Sequence, residues 1–188
     1  GPAMYNSTDS YCEIGSAASL AFDNEHNFFG GKGLTNKGVV SFAGETTFDG
    51  PLSSSGLLNI SAEALAFFGP LEAGKQHMVG GLGMQSEGML SVLPGADLSF
   101  SGPCTVDGEG MLNITDGGHV AFMPLEEGKV HKIGGKGMEA EGDVDFAPGA
   151  QVEATTIHNT GTMSIGKKAG STDEEPARSS SGGLGGGT

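Results

Sequence analysis

Six times along the chain a glycine precedes four residues of which the second and fourth are apolar. The copies are Gly38-Val39-Val40-Ser41-Phe42, Gly56-Leu57-Leu58-Asn59-Ile60, Gly88-Met89-Leu90-Ser91-Val92, Gly110-Met111-Leu112-Asn113-Ile114, Gly142-Asp143-Val144-Asp145-Phe146 and Gly161-Thr162-Met163-Ser164-Ile165. Alternation at a period of two predicts a β-strand with one buried face. The inward ladders are expected to be Val40, Leu58, Leu90, Leu112, Val144 and Met163, then Phe42, Ile60, Val92, Ile114, Phe146 and Ile165. A second strand is expected within each coil, marked by Leu20/Phe22, Thr46/Phe48, Leu65/Phe67, Leu98/Phe100 and Val120/Phe122, with Val152/Ala154 dropping the ring. Five phenylalanines in register predict one aromatic column, each ring burying about 150–250 Å².

Successive copies of the glycine are 18, 32, 22, 32 and 19 residues apart, so short and long intervals alternate. The longer period is repeated in detail. Pro70-Leu71-Glu72-Ala73-Gly74-Lys75 returns 54 residues on as Pro124-Leu125-Glu126-Glu127-Gly128-Lys129, and Gly80-Gly81-Leu82-Gly83-Met84 returns as Gly134-Gly135-Lys136-Gly137-Met138. Gly30-Gly31-Lys32-Gly33-Leu34 is a third, shorter copy. No copy can bury its apolar face alone, so the copies must stack. The predicted fold is all-β, a parallel β-helix or β-solenoid of about six to seven coils in alternating short and long pairs. At a strand spacing of ~4.8 Å the rod is roughly 30 Å long. A β-sandwich or a trimeric β-fibre is the alternative architecture. The 35 glycines by themselves suit a low-complexity chain, but disorder would not keep inward ladders in register. Leu93-Pro94-Gly95-Ala96 and Ala147-Pro148-Gly149-Ala150 read as tight corners.

Domain boundaries follow from composition. Residues 1–4, Gly1-Pro2-Ala3-Met4, read as a cloning scar, so the chain is expected to be cut from something longer. Residues 5–168 form the repeat domain, and residues 169–188 a flexible Ser/Gly-rich acidic tail or linker. A net charge of −14, with one arginine in the whole chain, disfavours nucleic acid and anionic membranes as partners, and no segment is apolar enough to insert into a bilayer. Cys12 and Cys104 fall about three coils apart, too far for a disulfide, and are expected to be free.

Candidate chemistry is sparse. Asp143 and Asp145 alternate on one strand and face outward, but the adjacent coil is expected to offer them only Met111 and Asn113, so they read as solubilising charges rather than a hydrolase pair. His26, His77 and His131 each precede a Gly-Gly pair by three or four residues and are expected to emerge on one side of the rod. Their role is unknown: a shared metal site would need loops nearly 10 Å apart to converge, whereas capping a loop carbonyl needs no convergence. The first outward position of the main strand reads Val39, Leu57, Met89 and Met111 before changing to Asp143 and Thr162. Four apolar residues in a row on a water-facing strand mark either an interaction face or a surface covered by a returning loop. Asn6, Asn59 and Asn113 begin glycosylation acceptor triplets. There is no tryptophan, and both tyrosines lie near the N-terminus, so an aromatic sugar platform is missing. No cofactor motif is present. A glycan, if bound, would lie on outward Asn, Ser, Asp and Glu ladders, with Ca²⁺ as the cation they would take.

The phrases Gly108-Glu109-Gly110-Met111-Leu112-Asn113-Ile114-Thr115 and Asn159-Thr160-Gly161-Thr162-Met163-Ser164-Ile165 resemble right-handed parallel β-helix proteins, most closely the passenger repeats of bacterial autotransporter adhesins. The resemblance covers nearly all of residues 5–168 and implies a non-enzymatic structural or adhesive segment of a larger, extracellular or cell-surface protein. Such a segment would act by self-association or by binding another protein. The alternative is a carbohydrate-binding or polysaccharide-modifying β-helix. Against it, the lyases of this fold resemble one another in using arginine or lysine against acidic sugars, and the repeat domain has no arginine. A self-polymerising intracellular scaffold is a third class, suited to free cysteines.

Overall fold

A computed structural model describes residues 11–166. The expected scar, Tyr5, Asn6 and the tail lie outside the described residues. Among the described residues the chain winds through 22 strands with no helix. In order they are β1 (Cys12–Ile14), β2 (Ser19–Phe22), β3 (His26–Phe29), β4 (Leu34–Asn36), β5 (Val39–Phe42), β6 (Glu45–Phe48), β7 (Leu52–Ser54) and β8 (Leu57–Ile60). There follow β9 (Leu65–Phe68), β10 (His77–Val79), β11 (Gly83–Ser86), β12 (Met89–Val92), β13 (Asp97–Phe100), β14 (Cys104–Val106) and β15 (Met111–Ile114). The last are β16 (His119–Phe122), β17 (His131–Ile133), β18 (Gly137–Ala140), β19 (Asp143–Phe146), β20 (Val152–Ala154), β21 (Ile157–Asn159) and β22 (Thr162–Ile165).

Every third strand stacks on the last, giving three parallel sheets. Sheet A runs β1-β4-β7-β10-β13-β16-β19-β22, sheet B β2-β5-β8-β11-β14-β17-β20, and sheet C β3-β6-β9-β12-β15-β18-β21. The fold is therefore a three-sided parallel β-solenoid of about seven coils, with three strands per coil where the sequence suggested two. The uneven glycine spacing now has a geometric meaning. A short interval, such as Gly56 after Gly38, carries the chain one full coil, from β5 to β8. A long one, such as Gly88 after Gly56, spans four strands from β8 to β12, a coil and one further side. The longer repeat is thus seven strands on a three-sided coil, and each copy starts one face further round. The Gly-Gly-x-Gly motif accordingly leads into β4 on sheet A, β11 on sheet B and β18 on sheet C.

This rotation changes how the core is assembled. The inward parity expected holds for five of the six phrases, in which Val40, Leu58, Leu90, Leu112 and Val144 are fully buried; in the sixth, on the last described strand, Met163 is half-buried and Ile165 is exposed. They do not form one ladder, because β5 and β8 pair in sheet B, β12 and β15 in sheet C, and β19 and β22 in sheet A. The single aromatic column is likewise replaced by three short stacks. Phe22 lies on Phe42 in sheet B at 5.4 Å. Phe29, Phe48 and Phe68 stack in sheet C at 5.6 and 5.2 Å. Phe100, Phe122 and Phe146 stack in sheet A at 5.4 Å each. Edge-to-face contacts such as Phe42 with Phe48 at 5.5 Å join the first two stacks across the core.

One expected core pair is turned outward. In β9 the buried residues are Ala66 and Phe68, so Leu65 and Phe67 stand on the outer surface, because a one-residue change of register exchanges the faces of a strand. The difference is measurable. Phe68→Ala should cost about 3–5 kcal/mol by urea denaturation, and Phe67→Ala about 1 kcal/mol or less.

Corners are closed by small and polar residues. A methyl group added at Gly56 would sit 1.9 Å from the carbonyl oxygen of Gly38 in the coil below, so only glycine lets the coils meet there. Buried polar side chains two residues before such glycines bind the corner backbone. The Asn36 amide donates to the Leu57 carbonyl at 3.1 Å, and the Ser86 hydroxyl to the Gly88 carbonyl at 3.0 Å.

Candidate functional site

The four residues of the expected apolar stripe do not share a face. Val39 and Leu57 are paired neighbours on sheet B, and Met89 and Met111 are paired neighbours on sheet C. What unites the second pair into a larger surface is the outward turn of β9. Leu65 pairs with Met89, and Met89 with Met111, along one row of sheet C, while Phe67 stands beside Ser91 in the parallel row. Leu65, Phe67, Met89 and Met111 thus form one half-buried apolar patch over three adjacent strands. Phe28 occupies the same row as Phe67, with Thr47 between them. Charged residues bound the patch, with Glu45 on β6 and Glu139 on β18. The sequence hides this surface because Leu65-Ala66-Phe67-Phe68 supports either parity.

Sheet A carries the second cluster. Asp143 and Asp145 do face outward, but their neighbours are not Met111 and Asn113. Register places Asp143 between His119 and Thr162, and Asp145 between Ala121 and Ser164. His119 also pairs with Asp97 on its other side. Its ring lies between two carboxylates, with Nδ1 2.8 Å from Asp97 Oδ1 and Nε2 2.9 Å from Asp145 Oδ2. Partial burial pulls the imidazole pKa down, but the hydrogen bonds to Asp145 and Asp97 outweigh it and hold the ring above its ordinary value. Aligning Pro94-Gly95-Ala96 with Asp116-Gly117-Gly118 as equivalent corners would have put Asp97 and His119 in one column from sequence alone.

The three histidines lie on three different sheets rather than one side of the rod: His26 on sheet C, His77 on sheet A and His131 on sheet B. His77 and His131 are fully buried and alike. His77 Nε2 donates to the Gly69 carbonyl at 2.8 Å while Nδ1 accepts from the Leu52 amide at 3.2 Å. His131 Nε2 donates to the Met123 carbonyl at 2.8 Å, and Nδ1 accepts from the Cys104 amide at 3.2 Å. Each ring closes the base of a corner loop, residues 70–76 or 124–130. Inside these loops Lys75 pairs with Glu72 and Lys129 with Glu126. Burial holds both imidazoles below their ordinary pKa, so they are neutral. His26 is not their counterpart. Counted back from the Gly-Gly pair, Asn27 is, and its amide donates to the Asn24 carbonyl at 3.3 Å across a corner with no inserted loop. His26, one residue earlier, points out and lies 3.6 Å from Glu45.

Asn59 and Asn113 stand on outer rows of sheets B and C, between Ser41 and Gln85 and between Ser91 and Glu139. Cys12 and Cys104 are both free. Among the described residues no group of three or more His, Cys, Asp or Glu is arranged to hold a metal ion. No protein-family model, no curated protein and no solved structure matches the chain.

Proposed function

We propose that the protein is a non-enzymatic β-solenoid that serves as a structural or adhesive segment of a larger, surface-exposed protein, as passenger repeats of autotransporter adhesins do. It acts by binding another protein or a second copy of itself through the outer face of sheet C. The observation that carries this reading is the continuous patch of Leu65, Phe67, Met89 and Met111 on three adjacent strands, on a face where the other sheets place mostly polar residues. Contiguous half-buried apolar surface on an outer sheet face is further stabilised when a partner covers it, and methionines let it adapt to that partner's shape.

Sedimentation velocity over a hundred-fold concentration range tests the self-association arm. The wild type is expected to associate, and Met89→Glu with Met111→Glu to remain a folded monomer. Val39→Glu with Leu57→Glu, on sheet B, should leave association unchanged. A wild type that stays monomeric removes self-association, and a double variant that associates as before removes the patch from the proposal.

A second reading, a carbohydrate-active surface, is favoured by the convergence of Asp97, Asp143 and Asp145 about His119 on sheet A. It is the weaker reading because the imidazole fills the space between two of the carboxylates, where a hydrolytic water would have to sit. Release of reducing sugar from neutral polysaccharides, abolished in Asp145→Asn, would promote it over the first.

A further inference from the structure

We propose that His119 is a pH-operated clasp across three coils, closed when the ring is protonated and open when it is not, so that the coil of β20–β22 beyond it loosens as the medium becomes alkaline. The argument begins with what an imidazole can donate. Protonated, it has two N–H groups, and here each meets a carboxylate at hydrogen-bond distance, Asp97 on β13 at 2.8 Å and Asp145 on β19 at 2.9 Å. His119 itself is on β16, between them. One side chain therefore ties three successive strands of sheet A on their outer surface, in addition to the backbone ladder.

Loss of the proton leaves one N–H, so one nitrogen lone pair then faces a carboxylate oxygen. Among the described residues, the charged groups that face the ring are Asp97 from β13 and Asp143 and Asp145 from β19. With the imidazolium gone, three carboxylates stand on neighbouring strands without a cation among them, and like charges on adjacent strands repel. The consequence falls on the C-terminal side. In a solenoid each coil is held only by its neighbours, so terminal coils open first. Beyond the clasp lie β20, β21 and β22, where Ile157 and Ile165 are already exposed, at 42% and 76%.

The sign follows from linkage. A group whose folded pKa is raised contributes stability that is complete below its unfolded value and is lost as pH climbs through the folded value. His77 and His131 work in the opposite direction, since their folded values are lowered. A loss of protection above neutrality is therefore not theirs.

Amide hydrogen exchange of the full chain, corrected for intrinsic rates and measured between pH 6 and pH 8.5, is the test. Protection of β19, β20 and β22 is expected to fall by up to about tenfold for each unit by which the folded pKa exceeds the unfolded one, while β4–β9 change little. In His119→Gln the pH dependence should vanish. Proton titration of the His119 ring by NMR in the wild type gives an independent readout that needs no mutant to fold. The ring should titrate above the ordinary histidine value of about 6.5 and move back towards it in Asp145→Asn. A ring that titrates at or below the ordinary value, or the same pH profile in His119→Gln, overturns the clasp.

Discussion

Replacement of His77 by leucine is expected to destabilise the protein by about 3–5 kcal/mol, from two stranded backbone groups at ~1–3 kcal/mol each plus imperfect packing. The ring is fully buried and is the partner of both the Gly69 carbonyl and the Leu52 amide. Leucine restores the volume and the contact with Phe68, whose ring lies 5.6 Å from the imidazole, but supplies neither hydrogen bond. His131→Leu should behave alike, because its ring makes the corresponding bonds to Met123 and Cys104. Urea denaturation at pH 7.5 checks both, and a cost below about 1 kcal/mol would show that the loops at residues 70–76 and 124–130 close without the rings. A pH effect accompanies this. Burial lowers both folded pKa values, so the stability these rings contribute is complete above the unfolded histidine value and is lost as pH falls through the folded ones. Wild-type stability should therefore decline on acidification from about pH 6.5, and the decline should shrink in either variant.

Gly83→Ala is expected to be at least as damaging, at about 4 kcal/mol or more, and to abolish soluble expression if the protein is marginally stable. Gly83 has φ +84°, and an added Cβ would lie 2.0 Å from the Pro103 carbonyl oxygen of the next coil. That oxygen accepts the Met84 amide at 2.9 Å, so the clash cannot be relieved without opening the ladder between β11 and β14. Gly74→Ala separates the two contributions. It has nearly the same φ, +81°, but its Cβ would meet nothing within 4 Å, so it should cost only about 1–2 kcal/mol from left-handed strain. Equal losses in thermal melts of the two variants would mean that backbone conformation, not coil-to-coil approach, governs these corners.

Both predictions concern features whose sequence signal was present but incompletely readable. The histidines stood out by their place before Gly-Gly, and a carbonyl-capping role was one of two readings left open. Their grouping with His26 failed because a strand changes face with every residue, and His26 is one position out of step with Asn27, His77 and His131. The same parity problem concealed the sheet C patch. Phe67 and Phe68 are adjacent, either could be the inward ring, and only the stack of Phe68 on Phe48 at 5.2 Å decides. Met89 and Met111 were recognisable as apolar residues on an outward position, whereas their partners Leu65 and Phe67 were not. The His119 cluster was missed for a different reason: its members come from three coils, 22 and 26 residues away from the histidine.

What the sequence by itself determined is the local and near-neighbour level. Alternation in the six glycine phrases set which side chains point inward, because a strand has a period of two whatever surrounds it. The recurrence of those phrases set the stacking of parallel coils, because no copy has enough apolar surface to fold alone. What only the tertiary structure decided is which copy lies on which. That depends on the number of sides to a coil, a closure condition accumulated around three strands and three corners and recorded in no single segment. A seven-strand repeat on a three-sided coil advances by one face per copy. Residues that look like one column in the sequence, Val39 with Met89 or Phe48 with Phe100, are therefore carried to different faces, and residues with no visible relation, Leu65 with Met111 or Asp97 with Asp145, are brought together.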